Sequence, residues 1–194
     1  SIPRLDVLLP VGISFYILQA LGYLIDVYKR DIPSERDFIT YALFVSFFPQ
    51  LVAGPIERST NLLPQFKEDH KFSYDFAISG FKLMLWGYFL KLCMADRASI
   101  YVDNVFNHIS SHEGHSTLIA SILFSLQIYG DFAGYSIIAI GCARILGFSL
   151  NDNFKRPYFA VSITDFWHRW HISLSTWLRA YIYFPLGGSR TKQM

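Results

Sequence analysis

The chain has 194 residues, 52% of them hydrophobic and only 16% charged, with 18 Phe and 12 Tyr. A water-facing domain carries about 25% charged residues, so this composition argues against an ordinary soluble globule and for a membrane protein rich in interfacial aromatics. The formal net charge of +2, from 17 basic and 15 acidic residues, offers no clustered basic face and hence no case for nucleic-acid binding.

The chain begins with Ser1 and stops soon after a glycine pair, so it reads as an internal piece of a longer protein, a single partial domain over 1–194. The first apolar run, residues 8–28, predicts a helix of about 30 Å, one hydrocarbon thickness. A charged loop follows. The second run, 38–56, is interrupted by Pro49, Gly54 and Pro55. Proline removes a backbone donor and clashes with the preceding turn, so this run predicts either a broken segment that lines something or a helix ending near Phe48.

Residues 57–75 are too polar for a bilayer core. Residues 76–93 are the next predicted span, with Lys82 and Lys91 placed to reach opposite interfaces. The stretch 103–116 carries no Lys or Arg, whereas Lys29, Arg30 and Arg36, and Arg58, Lys67 and Lys71, populate the two preceding loops. By the positive-inside tendency 103–116 faces outward. Both basic loops lie inside only if 38–56 is re-entrant. His108, His112 and His115 have a metal-like spacing but no completing Cys or carboxylate set, and read as solvated loop residues. Cys93 and Cys142 read as small buried hydrophobes.

Residues 117–148 would form a helix of about 48 Å, which predicts a bend, break or extension, with Gly130 and Gly134 marking the place. Asp131 between them is either an intramembrane functional carboxylate or an N-cap at the break.

Residues 164–183 predict one amphipathic helix started by Ser162 and Asp165 and ended by Gly187 and Gly188. At about 100° per residue, Thr164, His168, His171, Ser175 and Arg179 share one stripe, with Trp170 and Trp177 roughly opposite. Three readings stay open on the residues alone: interfacial anchoring, half of a metal site from His168 and His171, or an active-site stripe in which an imidazole handles protons near pH 7.

The stretches "FPQLVAGPIER", "QIYGDFAGYSIIAIGCARILGF", "NFKRPYFAVSITDFWHRWHISLSTWLR" and "YIYFPLGGSR" resemble the membrane-bound O-acyltransferase family. The likeness is greatest to its bacterial branch that acetylates exopolysaccharides such as alginate. The resemblance implies an all-α, polytopic membrane helical bundle with broken or re-entrant helices around a tunnel, of which this chain is a fragment. It implies acyl transfer from acetyl-CoA or an acylated carrier protein, with no bound cofactor or metal, to a hydroxyl of an extracytoplasmic polysaccharide. It also implies residence in the bacterial inner membrane and periplasmic partner proteins of an acetylation complex. Carried over by motif, His171 is the catalytic candidate and Trp170, Ser173, Trp177 and Arg179 match its neighbours; Trp170 and Arg179, together with His168 and Ser175 of the stripe and the carboxylate of Asp131, are then expected to line the tunnel, and a second histidine is expected beyond Met194. Ala180 and Ile137 stand where the family pattern has an acidic residue. The rival classes are a transporter or channel subunit, with Asp131 on an ion path, and an inactive homologue.

Overall fold

The computed structural model describes residues 12–51 and 54–188, and every regular element among them is helical. The start of the predicted span 8–28 lies outside the described residues. The rest of it forms α1 (Ile13–Tyr28).

The dominant feature is an antiparallel hairpin. Its first arm runs unbroken over Tyr74–Asn107 as α5 (Tyr74–Tyr88), a π-helical turn (Phe89–Ala95) and α6 (Asp96–Asn107). Its second arm is α7 (Gly114–Ile145). At 34 and 32 residues, both are long and apolar enough to cross a membrane. Most of their surface is unburied: Leu85 is 73% and Leu118 65% exposed. Apolar rows of that kind are stable against lipid and costly in water.

Small residues set the spacing of the two arms. A Cβ on Gly80 would stand 2.6 Å from the Gly141 carbonyl oxygen, and one on Gly87 2.7 Å from that of Gly134. The backbones therefore touch, as small residues allow in membranes where apolar side chains gain nothing by meeting each other. Gly130 packs in the same way against Leu90 and Met94 at the π-turn.

Several expectations are corrected by this hairpin. The glycines around Asp131 do not break α7. They are contact points with the first arm, Gly134 with α5 and Gly130 with the π-turn, and Asp131 is mid-helix rather than an N-cap. Lys91 does not reach for an interface: its Nζ lies 2.7 Å from Asp96 Oδ1 and 2.6 Å from Asp131 Oδ1. One cation shared by two carboxylates is cheaper at membrane depth than three separate charges. The predicted span 76–93 continues to Asn107, so the loop expected to face outward is shorter than 103–116. Cys93 is exposed on the helix surface, not buried.

The segment 38–56 turns back. α2 (Phe38–Ser46) is capped by Asp37, whose carboxylate accepts from the Ile39 and Thr40 amides. At nine residues it is about 14 Å long, half a hydrocarbon thickness. After Phe47 a single turn, α3 (Phe48–Leu51), precedes the return of the chain. Gln19 of α1 holds the break by donating to the Phe44 carbonyl and accepting from Gln50 Nε2 at 2.6 Å. Lys67 pairs with Glu35 at 2.6 Å, and Ser59 of α4 (Ser59–Gln65) donates to Asp26 of α1 at 3.4 Å. Both basic loops therefore lie at one end, as a re-entrant segment requires. Arg144 in the last turn of α7 lies at that end too.

Candidate functional site

The predicted helix 164–183 is two helices and a π-turn. α8 (Ile163–Arg169) begins where expected: Ser162 Oγ accepts from the Asp165 amide at 3.1 Å, and Asp165 accepts from the Val161 amide at 3.2 Å. It stops at Trp170. His171 then adopts φ 44°, ψ 56°, a left-handed conformation that side chains rarely take. α9 (Ile172–Leu178) restarts at once and runs into a π-turn, Arg179–Tyr183. Strain of this kind persists only where neighbouring structure compels it, and here the loop 151–156 does so. The Asn153 carbonyl accepts from the Ile172 amide at 2.9 Å, and the Lys155 amide donates to the Arg169 carbonyl at 2.9 Å.

The side chain of Asn153, 1% exposed, organises the break. Its Oδ1 accepts from the Ser173 amide at 3.2 Å and the Ser173 hydroxyl at 2.9 Å, and lies 3.0 Å from His171 Nδ1. A backbone amide only donates, so the Asn153 atom facing it is oxygen. His171 Nδ1 therefore carries the proton, and Nε2 presents a lone pair. No described residue bonds Nε2. Phe132 stands edge-on to the imidazole at 4.8 Å between centroids, with Phe15 at 6.4 Å. The imidazole is half-buried between them.

Phe132 lies 13 residues before Ile145 on α7, about 20 Å from the basic end. His171 is thus at the depth of the hairpin's middle. The Ser173 hydroxyl also accepts from the Ile56 amide at 3.0 Å, tying the break to the end of the re-entrant segment. One step further, Glu57, only 2% exposed, accepts from Asn61 Nδ2 at 2.6 Å and Asn151 Nδ2 at 2.8 Å. Burial raises its pKa, opposed by these bonds and one from the Asn151 amide.

The predicted stripe divides at the break. His168, Ser175 and Arg179 line one cavity of about 230 Å³ with Trp167, Ile172 and Thr176. Arg179 Nη2 donates to His168 Nε2 at 2.7 Å. His171 faces the other way, toward Asn153 and Phe132. It lines neither this cavity nor a second, of about 440 Å³, that reaches the adjacent Ile172 and Ser173. Trp170 stands in an aromatic cluster, stacked on Phe166 at 5.6 Å and edge-on to Phe154 at 5.1 Å. Asp131 is held by Lys91, with no contact to His171. Trp177 Nε1 donates to the Leu18 carbonyl at 2.9 Å. His108 and His115 are exposed and His112 half-buried, and no group of three metal-type ligands exists among the described residues.

Asn153 and Glu57 escaped the sequence reading as organisers of the site. Asn153 precedes its histidine by 18 positions, with a short 3₁₀ turn and α8 between them, so no single element carries both. Both stand in polar runs, 151–156 and 57–61, and nothing in either run marks which side chain turns inward.

Fold and site together define a helical membrane protein that builds an oriented imidazole into a strained helix break at mid-depth. Residues 27–194 match the sequence pattern of the membrane-bound O-acyltransferase family, and the chain belongs to that family. It is 44% identical over 184 residues to the probable alginate O-acetylase AlgI of Pseudomonas putida, covering 95% of this chain and 38% of that protein. It is 38% identical to the peptidoglycan O-acetyltransferase of Helicobacter pylori, over 98% of this chain and 41% of that protein. With the teichoic acid D-alanyltransferase of Bacillus subtilis it shares 28% identity, over 89% and 44% of the two chains. The chain thus spans about two fifths of the length of these curated relatives.

Proposed function

We propose that the protein transfers an acetyl group from a thioester donor to a hydroxyl of an extracytoplasmic polysaccharide, as part of a multi-pass protein of the bacterial inner membrane. The observation that carries this reading is the Asn153–His171 hydrogen bond. It leaves Nε2 as an acceptor at a depth where substrates approaching from the two faces would meet. The attacking hydroxyl must lose its proton as its oxygen bonds the thioester carbonyl carbon and the thiolate departs, and a positioned imidazole contributes typically about 10²–10⁴-fold to such a step. With Nδ1–H engaged, neutral His171 cannot donate from Nε2 to the thioester oxygen. It accepts from the hydroxyl and so orients the acceptor, while a second histidine of the full-length protein takes the main base role. The donor is acetyl-CoA or an acylated carrier protein, and periplasmic partners complete delivery of the acetyl group. His168, Ser175 and Arg179 line the passage on the far side of the break.

The similarity to acetyl- and D-alanyl-transferring relatives supports this reading over a transporter, and the presence of an intact, oriented imidazole supports it over an inactive homologue. The test is O-acetyl content of cell-surface polymer in cells carrying His171→Ala in the full-length protein. Acetylation should fall at least about 10²-fold. Unchanged acetylation, at equal protein level, rejects the assignment of His171.

A further inference from the structure

Glu57 is only 2% exposed, and among the described residues no cation stands within ion-pair distance of its carboxylate. Arg58, the next residue, lays its guanidinium over the Tyr181 ring at 5.2 Å. A carboxylate taken out of water without a counter-charge is costly, and it is kept only where hydrogen-bond donors converge on it. Three do so here. Oε1 accepts from the Asn151 amide, and Oε2 accepts from Asn151 Nδ2 at 2.8 Å and from Asn61 Nδ2 at 2.6 Å. Glu57 is therefore a clamp between α4 and the loop 151–156.

That loop sets the conformation of His171. Asn151 is two residues before Asn153, whose Oδ1 faces His171 Nδ1 at 3.0 Å. Two residues after Asn153, the Lys155 amide donates to the Arg169 carbonyl at 2.9 Å. Asn153 is thus pinned on one side by Glu57 and on the other by the end of α8. The neighbour of Glu57 completes the grip: the Ile56 amide donates to Ser173 Oγ at 3.0 Å, and that hydroxyl donates to Asn153 Oδ1 at 2.9 Å. Two consecutive residues hold both partners of the histidine turn, the loop and the start of α9. A left-handed histidine persists only where its surroundings over-determine it, and slack in this loop would release it. None of these bonds from Glu57 reaches the imidazole, so its effect passes through Asn153.

We propose that Glu57 is a positioning residue for the transfer reaction: by gripping Asn151 it fixes the loop that presents Asn153 Oδ1, and so holds His171 in the tautomer and direction that leave Nε2 open to the reacting hydroxyl. The proposal rests on the acyl-transfer reading, but the tether itself is measured without turnover.

The full-length protein, isotopically labelled in its histidine ring nitrogens and placed in lipid nanodiscs, is studied by solid-state NMR, with His171→Ala identifying the His171 signals. The unaltered protein should show one tautomer, protonated at Nδ1. Glu57→Leu removes the acceptors at similar volume. It should mix the two tautomers, as Asn153→Ala does, and lower O-acetyl content of cell-surface polymer about 10- to 100-fold, the scale on which small misplacements act. Glu57→Gln should largely restore the single tautomer, because the Asn61 and Asn151 amides can turn an oxygen toward the new NH₂ group. Gln65→Leu is the structural control. Gln65 ties α4 to Ser149, accepting from its amide at 2.8 Å and donating to its carbonyl at 3.0 Å. Its loss should lower the unfolding midpoint and leave the tautomer single. The tether is overturned by a single tautomer in folded Glu57→Leu, by equal mixing in Gln65→Leu, or by a Glu57→Gln as disturbed as Glu57→Leu. If Glu57→Leu does not fold, Asn151→Ala carries the test, since it removes one of the loop's two bonds to Glu57: partial mixing is expected, and an unmixed tautomer overturns the tether. Mixed tautomers with undiminished acetylation keep the tether and reject the acyl-transfer role of His171.

Discussion

The α5–α7 hairpin and the α8–α9 break are both made of helix, yet they are held by opposite means. The hairpin is fastened by the absence of side chains: Gly80 against Gly141 and Gly87 against Gly134 bring two backbones into contact, and its apolar residues face outward. The break is fastened by polar atoms: one buried amide oxygen takes three donors, and a neighbouring hydroxyl extends the network to the re-entrant segment. Close packing makes a rigid wall but places no chemistry. Hydrogen bonding to a strained turn places an imidazole with one known tautomer. A membrane protein that must hold a reactive group at depth needs both.

The comparison breaks most readily at the hairpin. Gly141→Leu puts a branched side chain where even a Cβ lies 2.6 Å from the Gly80 carbonyl oxygen. Overpacking ordinarily costs about 1–3 kcal/mol, and backbone atoms cannot rotate away, so the expected outcome is loss of folded protein, read as yield and unfolding midpoint in detergent. Lys91→Met comes next, since it leaves Asp96 and Asp131 without their shared cation. A lowered midpoint that is largely restored in Lys91→Met/Asp131→Asn would show that the lost pairing, not the lost side chain, is responsible.

At the break, Asn153→Ala leaves His171 Nδ1 and the Ser173 amide without their acceptor. An unmade buried hydrogen bond costs about 1–3 kcal/mol, so stability should fall modestly while acetyl transfer falls further, because the imidazole loses its orientation. Asn153→Asp sharpens the point. It preserves the acceptor for His171 Nδ1 and for Ser173, so acetyl transfer should be retained to a larger extent than in Asn153→Ala. A loss as deep in Asn153→Asp as in Asn153→Ala would argue against the Asn153–His171 contact. The smallest effect is expected for Arg179→Gln. Its bond to His168 is exposed, and the change in stability should stay within about 0.5 kcal/mol.

Much of this was legible in the residues. Long apolar runs announced the spanning arms. The proline and glycine set in 38–56 announced an interruption, either a broken segment or a helix ending near Phe48, and the Ser162–Asp165 pair announced the start of α8. The errors share one cause. Gly130 and Gly134 were read as places where a long helix gives way, but a glycine looks the same in sequence whether it bends its own helix or admits another. Lys91 and Asp131 were read separately because 40 positions part them. The stripe from Thr164 to Arg179 was drawn on an unbroken helix, and nothing in "HRWHIS" marks a left-handed histidine.

Local physical chemistry was therefore enough to determine that this chain lives in a membrane, that its elements are helices, and roughly where they begin. Hydropathy, helical period and caps act within a few residues, and a single sequence displays them directly. Which glycines touch, which carboxylate Lys91 joins, and which oxygen holds His171 were decided only by the tertiary fold. Each depends on groups brought together from distant positions, and the left-handed turn at His171 exists because Asn153, arriving from another loop, makes it the better conformation.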